Sequence, residues 1–555
     1  MTAEPRPQSP PSIADLLAAA EPTGQRPLGE LIERLSAGGL LRGARDAGRA
    51  IGPAALAGIP IAAIADDSRS VRVGSLFAAV PGLHVDGHDY VAAAAGSGAA
   101  VALVERAIAD VALPQLVVER APAALADAAA WWHGDPSLEL GIVGITGTDG
   151  KTTTSFLAAA ALEAAGLSQG LIGTVATRIG TVHEANPEHT TTPGALLLQR
   201  TLRAMAANGN AVAVVETTSH GLAAERVRGI AYDIAIVTNL THEHLDFHGT
   251  WERYRDAKLS LFERLAVGPA NPAKEIRGRR WPKAAIVNGD DPNASAFIGV
   301  AQEAGARIVT YGTDGTADVR ATRVEEDAKR LRIAYDAPAG SAVIDLRLAG
   351  RFNVHNALAV VALGEVLDLD PAAVRAGLEG VLGVPGRMER LDAGQPFGVV
   401  IDYAHSPASL EKVLGLLAPL AAARGGDVIV VFGSAGERDT DKRPMMGRIA
   451  AELARIVVVT DEDPRGEDSG AILDDIARGA EHGGKRRDRD LLLIPDRPAA
   501  IAAAFERARA GDIVLLAGKG HERSIIGPDG PRPYDEATTA RAALAGLGFV
   551  GPAGH

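Results

Sequence analysis

An α/β architecture of three domains is what this sequence predicts, and three observations predict it. At 555 residues the chain is too long for a single hydrophobic core. Between residues 138 and 385 short apolar runs alternate with helix-patterned segments, which favours a mainly parallel central sheet. From residue 386 a further set of strands, each running into a loop that holds Gly, Asp or His, predicts a separate Rossmann-like unit.

Residues 1–50 open on a Pro-rich stretch and read as an extension, partly disordered or weakly helical. No basic-then-apolar leader pattern is seen there. The Ala-rich stretches meet Gly or charge before the roughly 18 apolar residues that a membrane span needs. A cytoplasmic protein without membrane insertion is therefore expected. Residues 51–137 pair short strands, such as 99–104, with Ala-rich helices and read as a small α/β domain. Within 138–385, strands are expected at 140–145, 211–215 and 234–237, and a helix at 152–165. The basic run at 269–283 reads as a solvated surface insertion. Gly383-Val384-Pro385-Gly386 reads as a hinge into the last domain, 386–555, with strands at 398–401, 427–432, 456–460 and 513–517. A net charge of −13 argues against a nucleic-acid-binding surface, and the absence of cysteine excludes disulfides, thiolate metal sites and cysteine nucleophiles.

The most specific local pattern is Gly147-Thr148-Asp149-Gly150-Lys151-Thr152-Thr153, between a strand and a helix. In that context glycines let backbone amides approach phosphate oxygens, a lysine offsets β/γ charge and a hydroxyl holds Mg²⁺. The bland alternative is a Gly-rich turn with an exposed lysine. The spacing departs from G-x-x-x-x-G-K-T, because Ile145 stands where the first glycine belongs and Gly144 comes one residue early.

This T-G-T-x-G-K-T variant resembles the Mur ligases and the folylpolyglutamate synthases, and the resemblance extends over about residues 60–550. It implies an ATP-dependent amide ligase that uses Mg²⁺, with Gly147, Thr148, Asp149, Gly150, Lys151, Thr152 and Thr153 on ATP. Glu216-Thr217-Thr218-Ser219-His220 is similar to the family's E-x-S-S-H, and Glu216 joins Thr152 as an expected metal ligand. Asn239-Leu240-Thr241-His242-Glu243-His244-Leu245-Asp246-Phe247-His248-Gly249 is similar to N-L-x-x-D-H-L-D-x-H-G, with Glu243 in place of Asp. It assigns Asn239 to the nucleotide and His244 to a second Mg²⁺, although His244 and His248, four apart, also fit zinc. Tyr254-Arg255-Asp256-Ala257-Lys258 implies a carbamylated Lys258 bridging metal. Asn288, Asn353 and Asn356 stand in segments that contact adenine or ribose, Arg387 in one that contacts phosphate, and Asp402 in D-Y-A-H-x-P, which reaches ATP.

The resemblance also implies substrates. Ser68 and His84 are expected on the uridine diphosphate. Thr190, Thr191, Thr192, Thr218 and Arg226 are expected on the acceptor peptide, whereas Ala224 stands where some members carry Gln. Arg438, the run Glu462-Asp463-Pro464-Arg465, Gly518 and Glu522 would form an amino-acid pocket. The expected reaction adds meso-diaminopimelate to UDP-N-acetylmuramoyl-L-alanyl-D-glutamate, because a planar arginine such as Arg465 suits a distal carboxylate. Glu462-Asp463 replaces Asp-Asn and adds acidity, so L-lysine or L-ornithine stays open. A folylpolyglutamate synthase would lack the uridine-binding region and the Asp-Pro-Arg run. An idle precursor-binding scaffold is opposed by the retention of Lys151, Thr152, Glu216, His244 and Lys258. The family resemblance implies a monomer.

Overall fold

In the computed structural model, residues 11–82, 85–186, 190–241, 245–266, 273–326 and 330–551 are described. The chain divides into two compact units. One comprises Met1–Arg323, Ala334–Val343 and Val354–Leu378, and the other Val324–Ile333, Ile344–Asn353 and Glu379–His555.

The first unit carries two sheets, each with its own core. The N-terminal sheet runs in the order Arg49–Ile51, Leu41–Asp46, Gln115–Val118, Val101–Val104, Ser75–Ala78, Ala63–Ala65. Its last four strands are parallel, and helix Val91–Gly96 forms the crossover from Ser75–Ala78 to Val101–Val104. Residues 11–50 correct the expected extension, because from residue 11 onward they are folded. Leu28, Leu31 and Leu35 follow helical spacing along Gly29–Ala37 and are wholly buried. Ahead of them, helix Ile13–Ala19 starts on a capping box between Ser12 and Asp15. Its Ile13 joins the core of the central sheet.

Among the described residues the central sheet has eleven strands, ordered Val182–Ala185, Ala176–Ile179, Gln169–Ile172, Val212–Glu216, Gly141–Thr146, Ile234–Val237, Ala284–Asn288, Arg307–Gly312, Val319–Glu326, Leu331–Ala337, Gly340–Leu346. The strands from Gln169–Ile172 to Arg307–Gly312 are parallel, as the strand–helix alternation predicted. Register aligns Glu216 with Ile145 and Val237 with Thr146, so the loops that follow these strands emerge at one carboxyl edge.

Near the amino ends of these strands lies a buried charge cluster. Asp233 accepts from the Ile142 amide at 2.8 Å and pairs with Lys274 at 2.6 Å and Lys283 at 3.0 Å. Lys274 also donates to the carbonyls of Ser137, Leu140 and Ala231. This corrects the solvated insertion expected at 269–283. Where it is described, that segment forms a hairpin, Glu275–Ile276 with Arg279–Arg280, and buries Lys274, Ile276, Trp281 and Lys283. Its lysines serve as bolts for strand ends, a role that charge alone does not announce.

The second unit holds a six-stranded sheet in the order Glu389–Leu391, Gly398–Asp402, Ile513–Ala517, Val428–Phe432, Ile456–Val459, Leu491–Leu493. All neighbours but the first pair are parallel. Helices pack on both faces, giving two cores and the expected Rossmann-like winding. Among the described residues no helix is long and apolar enough to cross a membrane.

Removing Asp233 strands two buried ammonium groups without their carboxylate. Asp233→Ala should therefore cost about 3–5 kcal/mol, read as a lowered midpoint in chemical denaturation of the full chain.

Candidate active site

The phosphate loop leaves strand Gly141–Thr146 and enters helix Lys151–Ala164. Gly147 has φ 146°, and a Cβ there would lie 1.8 Å from Thr238 Oγ1. Gly150 caps the helix in the left-handed region at φ 84°. The loop is braced from the next strand. Thr238 Oγ1 donates to the Asp149 carbonyl, the Asp149 amide donates to Asn239 Oδ1 at 3.0 Å, and Thr148 Oγ1 lies 2.8 Å from the Tyr254 hydroxyl. Lys151 Nζ rests on the loop itself, donating to the carbonyls of Gly147 at 2.9 Å and Thr148 at 2.8 Å.

Glu216 ends the fully buried strand Val212–Glu216. Its Oε2 accepts from Thr152 Oγ1 at 3.0 Å and lies 2.8 Å from Thr174 Oγ1, while Oε1 accepts from the Thr174 amide at 3.2 Å. The two expected metal ligands, Thr152 and Glu216, are thus brought together. Thr174 completes the group and was missed by sequence reasoning. Its only local signal is a position one residue beyond the Gly173 that follows a buried strand. These donors are hard oxygens, which fit Mg²⁺. Lys258, 2% exposed, donates to the Gly147 carbonyl at 2.6 Å, beside the same loop. His244 lies outside the described residues, as does His84. Among the described residues no cluster of three or more His, Asp or Glu has metal-binding geometry.

The nucleotide asparagines take different positions. Asn356 Oδ1 accepts from Thr154 Oγ1 at 3.2 Å and faces Gly150. Asn288 Nδ2 donates to the Thr238 carbonyl at 2.7 Å, behind the phosphate loop. Asn353 belongs to the other unit and donates to the Ala349 carbonyl at 2.7 Å. Asp290, adjacent to the Asn288 segment, lies 2.7 Å from His355 Nε2. Burial would raise its carboxyl, but the bonds from His355, Thr313 and Asp314 outweigh that and bring it down to about 2.

The acceptor residues share the Glu216 strand end. Thr192 Oγ1 donates to the Glu216 carbonyl at 2.9 Å, and the Thr218 amide donates to Thr192 Oγ1 at 3.0 Å. Arg226 donates to the Thr192 carbonyl at 2.8 Å. Thr191 Oγ1 lies 3.0 Å from Thr174 Oγ1. Thr190 begins this stretch of described chain and stays half-buried. Ser68 stands apart on the N-terminal sheet, half-buried in a turn that Asp67 caps through the Arg69 amide.

The second unit presents its own cluster. Asp402 accepts from the amides of Met388 at 2.8 Å and Ala404 at 2.9 Å, and burial pushes its carboxyl above the ordinary range. Arg387 stacks on the Tyr403 ring, with Cζ 4.9 Å from the centroid. Asp463 accepts from Lys519 Nζ at 2.8 Å and from the Ile526 amide at 2.9 Å. Lys519 also reaches Glu522 Oε2. Pro464 is buried, and Gly518 approaches the Glu462 carboxylate. Glu462 Oε2, Ser434 Oγ, Arg387 Nε and Arg465 Nε are buried atoms with no hydrogen-bond partner among the described residues. Arg438 is not brought into this group and stands exposed. Arg443, from the same run, is the buried arginine, bonded to Glu467 and Asp475.

Comparison with known proteins covers nearly the whole chain. Residues 60–132 match the Mur ligase family catalytic domain, 145–364 the Mur ligase middle domain and 386–520 the Mur ligase glutamate ligase domain. The chain is 50% identical over 499 residues to the UDP-N-acetylmuramyl-tripeptide synthetase of Roseiflexus sp., covering 88% of this chain and 96% of that one. It is 41% identical over 488 residues to the UDP-N-acetylmuramoyl-L-alanyl-D-glutamate--2,6-diaminopimelate ligase of Bacillus licheniformis, covering 88% and 95%. A solved structure bearing that ligase name matches with TM-score 0.59 at 31% identity, covering 88% of this chain and 96% of the other.

Thr174 bonds to the carboxylate expected to hold metal without being an expected ligand itself. Thr174→Val should raise the Mg²⁺ concentration for half-maximal ATP-dependent phosphate release about tenfold, measured by Mg²⁺ titration.

Proposed function

This chain belongs to the Mur ligase family of ATP-dependent ligases, and from that membership we propose that it adds meso-diaminopimelate to the D-glutamyl side-chain carboxylate of UDP-N-acetylmuramoyl-L-alanyl-D-glutamate. The relative at 50% identity has a name that leaves the added amino acid open, while the relatives at 38–41% are named for 2,6-diaminopimelate. The observation that carries the choice is the pairing of Arg465 with Glu462 in one short loop, each holding a buried polar atom in want of a partner. A donor and an acceptor three residues apart in the same loop suit the carboxylate and ammonium at the far end of diaminopimelate. The added acidity of Asp463 does not count against this, because Lys519 and the Ile526 amide already occupy that carboxylate.

The chemistry follows in two steps. A carboxylate oxygen of the D-glutamyl side chain attacks the γ-phosphorus of ATP, ADP leaves, and an acyl phosphate results. The amine of the incoming amino acid then attacks the acyl carbon, loses a proton, and inorganic phosphate leaves. Lys151 moves from the Gly147 and Thr148 carbonyls to the phosphoryl oxygens and offsets their charge. Arg387 contributes a second cation through donors that include its unpartnered Nε. Mg²⁺, when held by Thr152 and Glu216, supplies Lewis-acid neutralisation of the transferring group. Lys258 would join that set as a carbamate, exchanging a donor for oxygen acceptors. Thr191, Thr192, Thr218 and Arg226 orient the acceptor peptide, and Ser68 with His84 holds the uridine diphosphate. Positioning carries the reaction, with no covalent nucleophile from the protein. We place the reaction in the cytoplasm, carried out by a monomer.

The test is phosphate release from ATP and Mg²⁺ with the UDP-linked dipeptide and, in parallel, meso-diaminopimelate, L-lysine or L-ornithine. Release that depends on diaminopimelate is expected. Release with lysine or ornithine instead would keep the ligase and overturn the pocket assignment. Lys151→Ala should abolish release, and unchanged ATP consumption by that variant would sink the phosphate-loop assignment. Arg465→Ala should raise the KM for diaminopimelate about 30-fold or more, with little change in the KM for ATP.

A further inference from the structure

A continuous set of contacts runs through the second unit from Arg387 to Arg465. The Arg387 guanidinium lies over the Tyr403 ring, 4.9 Å from its centroid. The Tyr403 hydroxyl donates to Glu522 Oε1 at 3.1 Å. The other oxygen of Glu522 accepts from Lys519, which also donates to Asp463 Oδ1 at 2.8 Å. That same Asp463 oxygen accepts the Ile526 amide at 2.9 Å, and the Ile526 carbonyl accepts the Arg465 amide at 2.9 Å.

This last hydrogen bond holds Arg465 in the left-handed region at φ 56°. Tyr403 is the pivot of the set, and the chain makes room for it. Gly520 sits at φ 49° against it, where an added Cβ would come within 2.9 Å of Tyr403 Cβ. Both ends of the set are arginines whose Nε is buried without a hydrogen-bond partner among the described residues. Each end is thus short of an acceptor, and every link between them is already bonded.

We propose that Tyr403 is a positioning residue that couples Arg387 to the diamino-acid pocket, so that an anion on Arg387 tightens amino-acid binding. This inference rests on the ligase reading given above. The physical route is short. An anion that fixes the Arg387 guanidinium fixes the ring beneath it, and the ring carries the hydroxyl that orients Glu522. Glu522 and Asp463 in turn share the Lys519 ammonium, so the position of Glu522 sets the loop that carries Arg465. Tyr403 is half-buried, and desolvation together with Glu522 holds its hydroxyl far above the ordinary range, so it stays a donor at working pH. Coupling of this kind is reciprocal: a bound diamino acid must favour the anion on Arg387 by the same factor. The amine therefore binds more tightly, by that same factor, when an anion occupies Arg387.

The test compares the full-length wild type with Tyr403→Phe, which keeps the ring under Arg387 and removes only the hydroxyl. The amino acid used is the one that supports phosphate release in the wild type. Tyr403→Phe should raise its KM about tenfold, while the KM values for ATP and for the UDP-linked dipeptide move less than about twofold. In calorimetric titrations of that amino acid, inorganic phosphate should tighten binding to the wild type about fivefold and leave binding to Tyr403→Phe unchanged. A double-mutant cycle with Glu522→Gln should be strongly non-additive. Equal rises in all KM values, or a phosphate effect that survives in Tyr403→Phe or is absent from the wild type, would overturn the coupling. Failure of the ligase reading would show differently, as a wild type that releases phosphate with none of the amino acids.

Discussion

Glu216 sets the terms for the first unit. It ends a strand whose residues are all buried, and a carboxylate in that position must be met by donors or remain unfavourable. The donors come from separate stretches of chain: the Thr152 hydroxyl from the helix after the phosphate loop, and the hydroxyl and amide of Thr174 from the loop after Gln169–Ile172. The backbone carbonyl of the same residue receives the Thr192 hydroxyl from the acceptor segment. One strand end therefore fixes the relative placement of the residues proposed for nucleotide, metal and acceptor. A shift of any one segment disturbs the others, which is how a ligase without a nucleophile of its own can rely on position.

The second unit separates structural charge from ligand-facing charge. Arg497 and Glu536 are wholly buried and satisfy each other in a bidentate pair, with the Ala517 carbonyl as a further acceptor. Arg443 is likewise met by Glu467 and Asp475. Buried atoms without a partner among the described residues occur on Glu462, Ser434, Arg387 and Arg465, and also at the Nε of Arg443 and Arg455. A buried polar atom without a partner costs stability, so Glu462 and Arg465, three residues apart in one loop, are candidates for a ligand to satisfy.

Much of this was legible in the sequence, and the reasons differ by element. The phosphate loop declares itself because its backbone demands glycine at fixed positions, as the 1.8 Å approach at Gly147 explains. The parallel strands were legible as apolar runs, and strand Gly141–Thr146 and helix Lys151–Ala164 lie within a residue of expectation. Residues 11–50 were not legible, because alanine and glycine diluted the spacing of Leu28, Leu31 and Leu35. The burial of Lys274 and Lys283 depends on Asp233, far from both along the chain, and no local pattern encodes it. Thr174 was passed over for the same reason, since its partner Glu216 is brought to it by the fold. Arg438 and Arg443 share one run, and the sequence did not say which would turn inward: Arg438 stays exposed while Arg443 is buried.

The resting place of Lys151 bears on the pace of turnover. Its ammonium is already satisfied by two carbonyls of the loop it serves, so an incoming nucleotide competes with the loop's own backbone for that cation. On the proposed reading, that exchange lowers affinity for triphosphate and favours departure of the spent nucleotide, because the lysine has somewhere to go. The loop thus behaves as a tethered competitor of its own substrate. It gives up tight grip for quick release, which suits an enzyme that must discharge ADP once in every cycle.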